Sequence, residues 1–210
     1  MRGAVKRATL RKVLRWGQWA LAAAAVIMLG YCGLVLADGW LFQQRERRHL
    51  EQLLHDRQAA SKQASRLSPP APSKSPPVVA VGDLIGRIEI PSLDLSVIVA
   101  EGVDTLTLRR AVGHIPGTGI PGNPGNIGLA GHRDTFFRPL RNIRQNDIIT
   151  LTTPLGEYRY RVVSTKIVKP TDVGVLNPTG TEVLTLVTCY PFYFIGPAPS
   201  RFIVRAERVI

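Results

Sequence analysis

The sequence predicts an all-β domain, a mostly antiparallel barrel or sandwich with short helices, preceded by one N-terminal transmembrane helix. Three observations carry this prediction. From Asp83 onward, short apolar or alternating runs follow one another, most of them ended within two residues by Gly or Pro. Only one stretch of that region reads as a helix, and it is too short for a crossover between parallel strands. Near the N-terminus lies an uncharged run from Trp16 to Ala37, 22 residues long, where roughly 20 helical residues cross the hydrocarbon core of a bilayer.

The first segment, residues 1–15, is a basic tail with Arg2, Lys6, Arg7, Arg11, Lys12 and Arg15 and no acid. The span, residues 16–37, has Trp16 and Trp19 at one end and Trp40 just past the other, as suits interfaces. The basic flank places the N-terminus inside and the remainder outside the cytoplasmic membrane, although Arg45, Arg47 and Arg48 weaken the asymmetry. Val35-Leu36-Ala37 also suits a signal-peptidase site. The run exceeds the roughly 7–15 residues of a signal h-region, so an uncleaved, single-pass anchor is expected.

Residues 38–78 read as stalk and linker. Leu50, Leu53 and Leu54 have helical spacing, so Gln43–Arg66 is either a short helix or a solvated spacer. Leu67–Pro77 holds five prolines in eleven residues, an extended and semi-rigid linker, which puts the boundary of the outer domain, residues 79–210, near Val78.

Within that domain strands are expected at Leu84–Ile90, Leu95–Val99, Ile127–Ala130, Asp147–Thr153, Glu157–Val168, Val183–Cys189 and Arg201–Val209. Asp104–Val112 reads as the short helix, with Asp104 or Thr105 as N-cap and Gly113 as its stop. Gly117–Gly125, with four Gly and two Pro, is a loop.

Charge excludes a nucleic-acid reading. The chain carries +12, but residues 1–79 hold +9 of it and residues 80–210 only +3, too little to track phosphates. Of two cysteines, Cys32 lies in the apolar run and Cys189 in the outer domain, so they cannot form a disulfide with each other. A metal centre is not expected either, because the outer domain has one cysteine and two separated histidines. No cofactor is implied.

In Val183–Cys189, Leu184 and Leu186 point to one face and Val183, Val187 and Cys189 to the other, so this is a central strand with Cys189 at its end. A buried thiol is inert and a strand-end thiol beside a loop is accessible; Tyr190-Pro191 and Gly196–Pro199 supply the loop. His132 ends the run Ile127–Gly131, again at a strand end, and is a candidate partner, whereas His114 suits a capping or surface role. Arg201 opens the strand after the loop. If the two strands pair antiparallel, Arg201 returns beside Cys189 with a permanent charge suited to an oxyanion.

These residues resemble the sortase family. Thr185-Leu-Val-Thr-Cys189 is similar to its TLxTC motif, Ala130-Gly-His-Arg-Asp134 to its histidine segment, and Arg201 to its arginine, in the family's order. Thr185–Phe192 with Arg201–Val204 looks most like class D. The resemblance covers about residues 83–210. It implies an eight-stranded β-barrel with His132, Cys189 and Arg201 catalytic, and Thr188 and Tyr190 are expected to contact substrate. It also implies cleavage of an LPxTG- or LPxTA-like sorting signal after Thr, through a Cys189 thioester. The partners implied are secreted proteins with a C-terminal sorting signal and an amine acceptor on the cell wall or another protein. The alternatives are a cysteine endopeptidase on the same fold and a non-enzymatic, membrane-tethered domain binding cell-wall ligands.

Overall fold

The structure is a computed structural model. It describes residues 2–64 and 80–209, with side chains of the first stretch from residue 14 to 60. The Pro-rich linker expected at Leu67–Pro77 and the boundary near Val78 lie outside the described residues. Two compact units result, Met1–Leu41 and Phe42–Ile210. Helix α1 (Arg2–Ala64) contributes to both. Within Leu14–Ala60 it is long and apolar enough to cross a membrane.

In the second unit eight strands close into a barrel. They are β1 (Leu84–Ile90), β2 (Leu95–Glu101), β3 (Val112–His114), β4 (Gly125–Ala130), β5 (Ile148–Thr153), β6 (Gly156–Val168), β7 (Glu182–Tyr190) and β8 (Ser200–Val209). Their order is β1-β2-β3-β4-β7-β8-β6-β5, and β5 pairs with β1 to close the ring. Seven strands match the alternating runs of the sequence within a few residues. The eighth, β3, was expected as helix end and stop. It is three residues long and pairs parallel to β2 and antiparallel to β4. A second parallel pair joins β4 to β7. Helix α2 (Thr105–Arg110) is capped by Asp104, whose carboxylate accepts from the Leu106 and Thr107 amides at 2.9 and 3.1 Å. The Thr107 hydroxyl and these amides hold the Asp104 carboxyl below the ordinary aspartate range.

Inward-facing residues of every strand fill the barrel. Ile88, Val99, Ile127, Leu151, Tyr160, Leu184, Leu186 and Val204 meet there, and Phe137 and Leu140 from the β4–β5 connection join the same core. Because β3 is short, β2 is left with an open edge. Residues of α1 within the same unit cover it: the Ile98 amide donates to Gln43 Oε1 (3.0 Å), and Arg47 donates to the Ser96 carbonyl (2.6 Å). Gln43 Nε2 also donates to the Arg110 carbonyl (2.7 Å), and Phe42 packs on Ile98, Ala100 and Ala111. Leu50 is buried, at 1 % exposure. This stretch is therefore helical and docked, not a solvated spacer.

Candidate active site

Strand β7 runs between β4 and β8, and pairing with each neighbour fixes what stands beside Cys189. Leu184 and Leu186 face the core, so by alternation Thr185, Val187 and Cys189 face outward. On β8 Val204 and Ala206 face the core, which turns Arg201, Ile203 and Arg205 outward. The antiparallel register sets Cys189 opposite Arg201, Val187 opposite Ile203 and Thr185 opposite Arg205. Cys189 and Arg201 are thus cross-strand neighbours on one outer face, both half-buried.

The histidine arrives from the other side. β4 is parallel to β7 with Ala130 level with Val187. Two bonds carry the register further: the Gly131 amide donates to the Val187 carbonyl (3.1 Å), and the Thr188 hydroxyl donates to the Gly131 carbonyl (2.7 Å). The next residue, His132, is therefore level with Cys189, and it is exposed. Gly131 has to be glycine, because a Cβ there would meet the Phe137 ring at 2.7 Å. The Phe137 amide closes the turn by donating to the His132 carbonyl (3.0 Å).

Arg201 Nη1 donates to the Ser200 carbonyl at 3.1 Å. On the same outer face a cleft of about 280 Å³ opens, lined by Lys166, Asp172, Val175, Thr185, Ile203 and Arg205 among others. Ile203 links the two, since it lines the cleft and lies two residues from Arg201. The β6–β7 connection over this face is stitched down by Asn126. Its amide donates to the Val175 and Asn177 carbonyls (2.9 and 3.1 Å), while its carbonyl accepts from Thr185 (2.6 Å).

The two expected contact residues flank Cys189 in β7. Thr188 and Tyr190 share the Leu186 side of β7, opposite to Cys189. Thr188 is 2 % exposed and its hydroxyl donates to the Gly131 carbonyl, which ties β7 to the end of β4. Tyr190 packs with Phe192 and Phe202, at ring-centroid distances of 6.0 and 6.3 Å. His114, expected at the surface or on a helix end, is in β3 and 3 % exposed. Its Nδ1 is 2.6 Å from Glu101 Oε2 and its Nε2 is 2.9 Å from the Gly119 carbonyl oxygen.

Arg133 was missed by sequence reasoning. Its guanidinium donates to the Pro191 carbonyl (3.0 Å) and the Gly196 carbonyl (2.8 Å), both in the β7–β8 loop. The signal was only its place directly after His132. Among the described residues no cluster of His, Cys, Asp or Glu has the makings of a metal site.

Comparison with known proteins agrees with this architecture. Residues 88–209 match the Sortase domain family model. Sortase D of Bacillus subtilis is 33% identical over 196 residues, covering 90% of this chain and 96% of that protein. Among solved structures, sortase A from Corynebacterium diphtheriae superposes with a TM-score of 0.58 at 27% identity, covering 77% of this chain and 84% of that one. Sortase C from Clostridium perfringens superposes with a TM-score of 0.58 at 25% identity, covering 79% and 90%.

Proposed function

The chain belongs to the sortase family of cysteine transpeptidases, and from that premise we propose that it cleaves an LPxTG- or LPxTA-like sorting signal after Thr and passes the acyl group to an amine. The observation that carries the reading is the pairing of Cys189 with Arg201 across β7 and β8 on an open face. His132 comes level with Cys189 from the opposite side.

The chemistry follows from those three groups. The Cys189 thiolate adds to the carbonyl carbon of the signal's Thr, and the C=O π electrons move to oxygen. Arg201 offers guanidinium N–H donors to that oxyanion, whose charge is stabilised more in the transition state than in the ground state. Collapse breaks the C–N bond, and the departing nitrogen takes its proton from His132, leaving a thioester on Sγ. An incoming amine then loses a proton to His132 and attacks the thioester carbon. The new amide forms and Cys189 leaves as thiolate. Residues of the signal on the N-terminal side of Thr lie along Val187 and Ile203 toward the cleft beneath Val175. The apolar part of α1 anchors the enzyme in the cytoplasmic membrane, N-terminus inside, with the barrel outside. The substrates are secreted proteins with a C-terminal sorting signal, and the acceptor amine belongs to the cell wall or to another protein.

Product analysis with a motif peptide, with and without added amine, tests this reading. A peptide–amine conjugate that depends on Cys189 is expected. Free acid alone at saturating amine would identify a cysteine endopeptidase. Unchanged peptide would leave a binding domain.

A further inference from the structure

His132 lies between two tethers that land on opposite sides of Cys189 in sequence. On one side Gly131 is bonded to Val187 and Thr188 of β7. On the other side Arg133 is bonded to Pro191 and Gly196, in the loop that follows Cys189. We propose that Arg133 is a positioning residue for the His132–Cys189 pair, a brace that locks the histidine segment to the β7–β8 loop. The inference rests on the catalytic reading above and adds a residue to it that does not touch the reacting atoms.

The loop needs such a brace because it buries little of itself. Phe192 packs on the core where the loop begins, but Tyr193, Phe194 and Ile195 are 76%, 46% and 97% exposed, so apolar burial does not fix the course beyond it. The Phe194 amide reaches the Pro191 carbonyl only at 3.4 Å. Arg133 supplies two shorter, charge-assisted bonds to carbonyls five residues apart, and its guanidinium carbon lies 5.9 Å from the centroid of the Phe194 ring. A second arginine of the same connection repeats the stacking, with Arg141 5.5 Å from the Tyr193 centroid. A planar fork spans both carbonyls at once, whereas a lysine ammonium is a point donor. With the brace in place, the residues on both sides of His132 are tied to residues on both sides of Cys189.

The test compares the parent with Arg133→Met and Arg133→Lys in two assays. The first is alkylation of Cys189 as a function of pH, with His132→Ala defining which part of the profile depends on the histidine. The second is steady-state transpeptidation of a motif peptide. In both variants the histidine-dependent part of the alkylation profile shrinks. Also, kcat falls roughly tenfold to a hundredfold, the scale of a misplaced reacting group, while KM for the peptide stays within about twofold. Circular dichroism reports the folded fraction, and the loss of kcat exceeds any loss of fold. Arg133→Lys does not rescue. Where Arg133→Met is too unstable, Phe194→Ala removes the stacking face from the loop side and gives the same profile change in weaker form.

An unchanged histidine-dependent profile in a folded Arg133→Met overturns the proposal. So does full rescue by Arg133→Lys, or an unfolded Arg133→Met beside a Phe194→Ala variant of parental rate and profile. A parent enzyme whose profile ignores His132→Ala overturns the catalytic reading itself, and this inference with it.

Discussion

His114→Ala is expected to unfold the barrel more readily, without any part in the chemistry. The ring is 3 % exposed and is held at both nitrogens: Glu101 Oε2 at 2.6 Å on Nδ1, and on Nε2 the Gly119 carbonyl at 2.9 Å with the Thr118 hydroxyl at 3.2 Å. Glu101 and His114 are also register partners of the short parallel pair β2–β3. Removing the ring strands the Glu101 carboxylate, whose side chain is only 12 % exposed. Breaking one partner of a buried pair costs about 3–5 kcal/mol. That is a large share of the roughly 5–15 kcal/mol that holds a domain together. At about 3–4 °C per kcal/mol for a domain of this size, Tm falls by roughly 9–20 °C. Thermal unfolding followed by circular dichroism measures it. Glu101→Gln, which keeps the shape and removes the charge, should fall less. A drop below about 3 °C for His114→Ala would refute the reasoning, because the pair would then contribute no more than a surface contact.

Three further outcomes follow from other parts of the molecule. Arg201→Lys should remain slow in single-turnover acylation, within the roughly 2.7–4 kcal/mol typical of a lost oxyanion donor, with Arg201→Ala slower still; acylation at the parent rate would remove the geometric role. Leu50→Ala should lower stability by about 2–4 kcal/mol, and a chain starting at residue 80 should lose more, since it uncovers Ile98, Ala100, Ala111 and the β2 edge; equal Tm values for chains starting at residues 42 and 80 would show the docked helix to be dispensable. Burial and the hydrogen bond to Glu182 hold the Tyr160 phenol above its ordinary value of 10.0. The unfolded chain therefore loses that proton first, so this contribution to stability is complete below about pH 10 and declines above it; in Tyr160→Phe this alkaline decline should flatten, and an unchanged slope in denaturant titrations would argue against it.

The sequence made most of the barrel legible because local alternation and turn residues mark strands without reference to partners. Leu84–Ile90 was read with the bounds it has in the structure. β3 escaped because Val112-Gly-His114 is three residues long and follows a helical stretch, so Gly113 passed for a stop. In the fold Gly113 is instead a close approach, where a Cβ would meet the Gly102 carbonyl oxygen at 2.2 Å. The two parallel pairings were illegible, since β4 and β7 are more than fifty residues apart and nothing local specifies their register.

At the candidate site, the facing of Cys189 and Arg201 followed from alternation plus one assumed antiparallel pair. The same alternation assigns Thr188 and Tyr190 to the Leu186 side of β7. Arg133 was a different case: its partners lie 58 and 63 residues away and are backbone carbonyls, which no side-chain pattern announces. Gln43 and Arg47 likewise meet backbone groups of β2, and only Leu50 hinted that α1 had a face to bury.

The central claim is that Cys189 forms a thioester with the signal's Thr. Intact-mass spectrometry of the protein quenched in acid during turnover of a motif peptide tests it most directly, with His132→Ala and Cys189→Ala alongside. The expected adduct adds the mass of the peptide up to and including Thr less one water, lies on Cys189, is released by hydroxylamine and is absent from Cys189→Ala. Turnover that persists in Cys189→Ala, or an adduct on any other residue, would contradict it.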